Sequence, residues 1–98
     1  MYSRYNNQKP GFRAFSFLAM FTVYALYSEK HNKIYIGFTS DIEKRMLYHN
    51  ELSTEGWTYK FRPWKLIYTE QHPTKQEAMK REKQLKSYRG REFVLSLI

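Results

Sequence analysis

Ninety-eight residues with no cysteine and a net charge of +8 leave room for one folded domain, and they exclude a disulfide framework, a thiolate metal site and thiol catalysis. The charge is uneven: residues 60–98 hold ten Lys or Arg against four acids, a net of +6, and a field of that sign suits a polyanion. A reducing cytoplasm is compatible with this composition.

Residues 1–19 carry three cations, no acids and an Asn-Asn-Gln-Lys-Pro-Gly stretch, so they read as a flexible extension ahead of a single domain over 20–98, with Met20 as an alternative start. Ala14 to Leu26 imitates a signal-peptide core, but it lacks a small-x-small cleavage site and is too short for a membrane helix of ~20 residues. Cleavage there would also destroy the first strand. No membrane association is therefore expected.

Phe21 to Tyr27 and Lys33 to Gly37 are rich in β-branched and aromatic residues and flank the polar Ser28-Glu29-Lys30-His31-Asn32, a pattern that predicts a hairpin. Ser40-Asp41-Ile42-Glu43 reads as a capping box with Ser40 as the cap, opening a helix to about Asn50. A loop is expected over 51–63 and a third strand over Trp64 to Glu70. Thr74-Lys75-Gln76-Glu77 is a second capping box, for a helix to about Tyr88, and Gly90 is expected to break the chain before a closing helix from Glu92 to Ile98. The fold expected is α/β in the α+β sense: a small three-stranded antiparallel sheet flanked by about three helices.

Three groups of residues could carry chemistry. Glu82 shares a helical stripe with Ala78 and Leu85, so its carboxylate faces the protein body and needs a partner. That partner is a cation such as Lys86 or Arg45, a metal ion, or solvent at the stripe's edge. Ile42, Arg45 and His49 repeat the pattern on the preceding helix. An arginine beside a histidine forms a phosphate clamp, or the arginine lays its stem on the core and the histidine caps the helix end. Tyr24 and Tyr35, in the hairpin strands, serve cross-strand packing, base stacking, or proton transfer if nearby cations lower the phenol pKa.

The series Val23-Tyr24, Tyr35-Ile36-Gly37, Thr39-Ser40-Asp41, Arg45, His49-Asn50 and Ala78 through Lys86, in that order and spacing, resembles the GIY-YIG nuclease family. It is most similar to the small stand-alone bacterial members, whose repair relatives include the nuclease half of the excision-repair enzyme. The resemblance spans Phe21 to about Arg91. It implies a metal-dependent endonuclease hydrolysing DNA phosphodiester bonds, with roles in repair or recombination. The signature tyrosines would be Tyr24 and Tyr35, with Gly37 allowing a tight exit from the strand. Arg45 would be the helix arginine and His49 an accessory to the base or a phosphate contact. Glu82 would hold Mg²⁺ or Mn²⁺, in preference to Glu77, which is engaged in its capping box. Lys44, Arg45, Lys80, Arg81, Lys83 and Lys86 would contact the nucleic acid. Thr22 stands where the first signature has glycine, Phe38 stands where repair relatives have lysine, and no clear asparagine follows Glu82.

Two other functions fit the same residues. One is a non-catalytic nucleic-acid-binding module, with Trp57, Tyr59 and Trp64 either as stacking residues or, as such aromatics more often are, packed in the core or a loop. The other is an interaction protein that docks a partner through the sheet edge or through Phe93, Val94, Leu97 and Ile98. A protein partner could also direct a nuclease of this size to its substrate.

Overall fold

The computed structural model describes residues 20–98. The flexible extension, the signal-peptide rival and the start at Met20 concern residues outside or at the edge of that range.

Strand β1 (Phe21–Ser28) lies between β2 (Lys33–Thr39) and β3 (Lys65–His72), and both pairings are antiparallel. The hairpin between β1 and β2 turns through Asn32 at φ 55°, a conformation that asparagine tolerates better than most residues. β1 is apolar along nearly its whole length because it is the central strand and is covered on both faces. On one face Val23, Ala25 and Ile36 pack against Ala78 and Leu85 of α3 (Lys75–Leu85) and Val94 of α4 (Tyr88–Leu95). On the other, Tyr24 and Leu26 pack with Ile42 of α1 (Ile42–Leu47) and with Trp64. Fully burying a side chain the size of Leu26 or Leu85 contributes about 1.5–3 kcal/mol. These two clusters therefore hold the sheet between its helices. The three-stranded antiparallel sheet and its flanking helices agree with the fold expected from the sequence.

Four local features differ from that expectation. The cap of α1 is Asp41, not Ser40. The Thr39 hydroxyl accepts the Asp41 N–H at 3.1 Å, which turns the chain so that Asp41 Oδ1 meets the Lys44 N–H at 3.0 Å. The helix does not stop near Asn50 but widens into a π-helical turn, Tyr48–Leu52, closed by the Ser53 N–H on the Tyr48 carbonyl at 2.9 Å. The expected loop contains a single helical turn, α2 (Trp57–Lys60), entered through Gly56 at φ 101°. Gly90 lies inside α4 rather than breaking the chain. The break is at Ser87, whose hydroxyl caps α4 by accepting from the Gly90 N–H. Glycine is required at 90 by close approach: a Cβ there would sit 2.4 Å from Leu85 Cα.

Thr74 caps α3 as expected, its hydroxyl accepting from the Glu77 N–H at 3.1 Å. Among the described residues, no helix is long and apolar enough to cross a membrane.

Candidate active site

Strand alternation puts Tyr24, Tyr35 and Gly37 on one face of the sheet, because Tyr24 pairs with Gly37 and Leu26 pairs with Tyr35. The glycine is needed for space, not for backbone conformation. A Cβ at Gly37 would lie 2.8 Å from the Tyr24 hydroxyl oxygen and 3.1 Å from the Tyr35 ring, so the missing side chain is the floor on which the Tyr24 phenol rests. The expected reason, a tight exit from the strand, does not apply, since β2 continues through Thr39.

The π-helical turn places His49 over these rings. His49 is only 3% exposed, its ring lies edge-on to Tyr35 at 5.0 Å between centroids, and its Nε2 is 3.0 Å from the Tyr24 hydroxyl. Burial and, after it, the charge of Arg45 lower the His49 pKa to about 4. His49 is therefore neutral near pH 7 and its Nε2 can accept the Tyr24 proton. In that tautomer the other ring proton is on Nδ1, which is buried, like Ser53 Oγ, without a hydrogen-bond partner among the described residues. Of the two sequence readings, a cap at the helix end and a place on the stripe of Ile42, the structure shows the second: His49 is buried on that stripe.

Tyr24 differs in a second way from the sequence reading. Its pKa is raised, first by burial and next by the Tyr35 hydroxyl, and the opposing charge of Arg45 does not compensate. Counting nearby cations suggests a phenol ready to ionise, but its burial makes it a neutral proton carrier.

Arg45 is exposed, and the buried stripe of α1 and the π turn runs through Ile42 and His49. The guanidinium lies over the Tyr48 ring, 5.6 Å from its centroid. Arg45, Lys44, Tyr48, Leu52 and the Thr39 to Asp41 turn line an open groove of about 600 Å³. Glu82 comes from α3, on the other face of the sheet, and is close enough for its charge to add to the rise in the Tyr24 pKa. Its side chain is 21% exposed and pairs with Lys86 Nζ at 3.2 Å. Among the described residues no three His, Cys, Asp or Glu are grouped to hold a metal. A lone, partly buried carboxylate nonetheless fits a hard cation such as Mg²⁺, which commonly takes one or two protein carboxylates and completes its shell with water and phosphate.

The nucleic-acid cations expected from the sequence divide by environment. Lys44 and Arg45 line the groove, and Lys80 and Lys83 are exposed on α3. Arg81 is engaged elsewhere, its Nε donating to Glu70 Oε2 at 2.8 Å. Glu70 also accepts from the Tyr68 hydroxyl and bonds His72 Nε2 at 2.7 Å. Burial pushes the Glu70 pKa up, and the hydrogen bonds from Tyr68, His72 and Arg81 outweigh it and bring it below the usual value. Lys86 is likewise paired, with Glu82.

One role has no counterpart in the sequence reading. Asn50 ties the π turn to the start of β3, its side chain accepting from the Trp64 N–H at 2.7 Å and donating to the Trp64 carbonyl at 3.0 Å. Serial spacing carries no signal for such a tether. Of the two roles open to Trp64, stacking and core packing, the structure shows the second: it is 4% exposed and its indole N–H donates to the Thr58 carbonyl at 2.8 Å. Phe38 packs against the core cluster under α3 and α4, on the face opposite Tyr24.

The sequence profile of the GIY-YIG catalytic domain matches residues 20–92, so this chain belongs to the GIY-YIG family, a family of nuclease type. It is similar to a UPF0213 protein of Staphylococcus saprophyticus, 41% identical over 69 residues that cover 70% of this chain and 83% of the relative. A UPF0213 protein of Bacillus pumilus is 35% identical over 71 residues, covering 61% of this chain and 72% of its own. Among solved structures, the solution structure of a UPF0213 protein from Bacillus halodurans is 31% identical, covers 80% of this chain and 84% of its own, and superposes with a TM-score of 0.48.

Proposed function

We propose that this protein is a divalent-metal-dependent endonuclease that hydrolyses DNA phosphodiester bonds, with Tyr24, Tyr35, Arg45, His49 and Glu82 as its site. The observation that carries the reading is the hydrogen bond between a neutral, buried Tyr24 phenol and a neutral His49, set beside a groove lined by Arg45 and Lys44. As a water attacks phosphorus and the bond from phosphorus to the leaving oxygen breaks, the water proton moves to the Tyr24 hydroxyl oxygen while the Tyr24 proton moves to His49 Nε2, and the leaving oxygen takes up a proton from solvent. Burial disfavours a lasting phenolate, which the coupled transfer avoids, and the same burial together with Arg45 disfavours the imidazolium, so His49 holds the proton only in passing. Tyr35 packs against His49 and holds the imidazole in place. Arg45 faces the charge that grows on the phosphoryl oxygens. Glu82 would hold Mg²⁺ or Mn²⁺, which supplies further charge stabilisation when bound.

DNA as substrate, the cytoplasm as compartment and a role in repair or recombination belong to the same proposal, as does a protein partner that directs the domain to its substrate. The test is cleavage of labelled linear, single-stranded, flapped and branched DNAs with Mg²⁺, with Mn²⁺ and with EDTA. Products that require the metal support the proposal. Salt-dependent binding of every substrate without any product would favour the non-catalytic binding module.

A further inference from the structure

We propose that Trp57 is a stacking platform for an unpaired nucleobase, so that the substrate presents a single-stranded nucleotide on the Tyr35 side of the site. This rests on the nuclease reading for the identity of the substrate, but the platform itself is a binding site with its own test.

A tryptophan in a one-turn helix usually serves the core, and Trp57 only half does. Its ring packs at 5.7 Å from Trp64 and edge-on to Phe61 at 4.9 Å, yet the residue is 48% exposed. It is also 6.3 Å from the Tyr35 ring, and Tyr35 adjoins His49. The exposed indole is thus one ring away from the proposed proton-transfer pair. The surroundings are cationic. Lys33 Nζ lies 5.3 Å from the Phe61 ring centroid, the Arg62 guanidinium lies 4.4 Å from that of Tyr59, and Lys60 is exposed on the same short helix.

Aromatic rings interleaved with Lys and Arg bind single strands by stacking the bases and neutralising the phosphates. A base inside a duplex has both faces covered by its neighbours, so only an unpaired or extruded base can use such a ring. Gly56 gives α2 its position, since its φ of 101° is open to glycine and strained for other residues.

The chain has two tryptophans, and Trp64 is buried. Quenching of intrinsic fluorescence by added DNA therefore reports on Trp57. In EDTA, where no metal-dependent turnover occurs, a short oligothymidylate is expected to quench the wild-type emission, and an abasic strand of equal phosphate number or a blunt duplex is not. By anisotropy of labelled DNA, Trp57→Ala weakens oligothymidylate binding about tenfold, Trp57→Phe weakens it less, and duplex binding is unchanged. The wild-type quenching needs no variant, so it stands even if Trp57→Ala fails to fold. Equal binding and equal quenching by the abasic strand and oligothymidylate would overturn the platform. If the chain cleaves nothing with any metal while oligothymidylate still quenches, the nuclease reading falls and the platform stands.

Discussion

At Tyr24, the glycine below the ring and the histidine above it form one constraint, because the phenol reaches His49 only while it rests where a Cβ at position 37 would be. Gly37→Ala therefore forces the ring to move. The expected cost is about 1–3 kcal/mol of stability, typical of overpacking, together with a disproportionate loss of cleavage; urea denaturation and cleavage rate measured on the same preparation separate the two. His49 makes a second prediction. Unfolded, it takes up a proton below about pH 6.5, whereas folded it stays neutral down to about pH 4. Between those values the unfolded state binds more protons, so this contribution is complete above pH 6.5 and is lost as the pH falls toward 4. His49→Gln should remove about 2 kcal/mol of that decline, seen as a shallower fall in denaturation free energy from pH 7 to pH 4.5. Tyr24, Tyr35, Arg45 and Glu82 stand out in the sequence as candidates because their types and spacing form a pattern. The direction of the Tyr24 pKa shift does not, because it is decided by burial, and burial depends on what folds over the ring.

Among the elements, the hairpin, the third strand and the helix capped by Thr74 were readable because hydrophobic period and capping chemistry agree there. The first helix was readable in place but not in detail. Two adjacent residues, Ser40 and Asp41, both have capping side chains, and the choice falls to Asp41 through the Thr39 hydroxyl, a contact that no capping pattern encodes. Asp41→Ala should cost about 1 kcal/mol and Ser40→Ala close to nothing, compared by thermal or urea denaturation of the two variants. The π-helical turn was not readable, because its i to i+5 bonding uses ordinary residues, Tyr48 to Leu52. It carries the buried His49 and the Asn50 side chain that bonds Trp64. Gly90 misled because glycine in a polar stretch signals a break, whereas here it lets α4 approach the end of α3.

Over the whole molecule, the net charge overstates the surface free to meet a polyanion. Arg81 is held by Glu70 and Lys86 by Glu82, while Lys44, Arg45, Lys80 and Lys83 have no such ion pair among those found in the described residues. Sequence counts charges but does not show which are already paired, and this is why the division of the α3 cations emerged only with the fold. Lys86 also links the two parts of the account, since a metal ion on Glu82 would compete with its ammonium for the same carboxylate.

The most direct measurement compares wild type with Glu82→Ala, for cleavage of the DNA panel in Mg²⁺ and for binding of the same DNAs in EDTA. Metal-dependent products are expected from wild type, none from Glu82→Ala, and binding nearly the same for both. Cleavage by Glu82→Ala at the wild-type rate would contradict the role of Glu82 as the metal ligand.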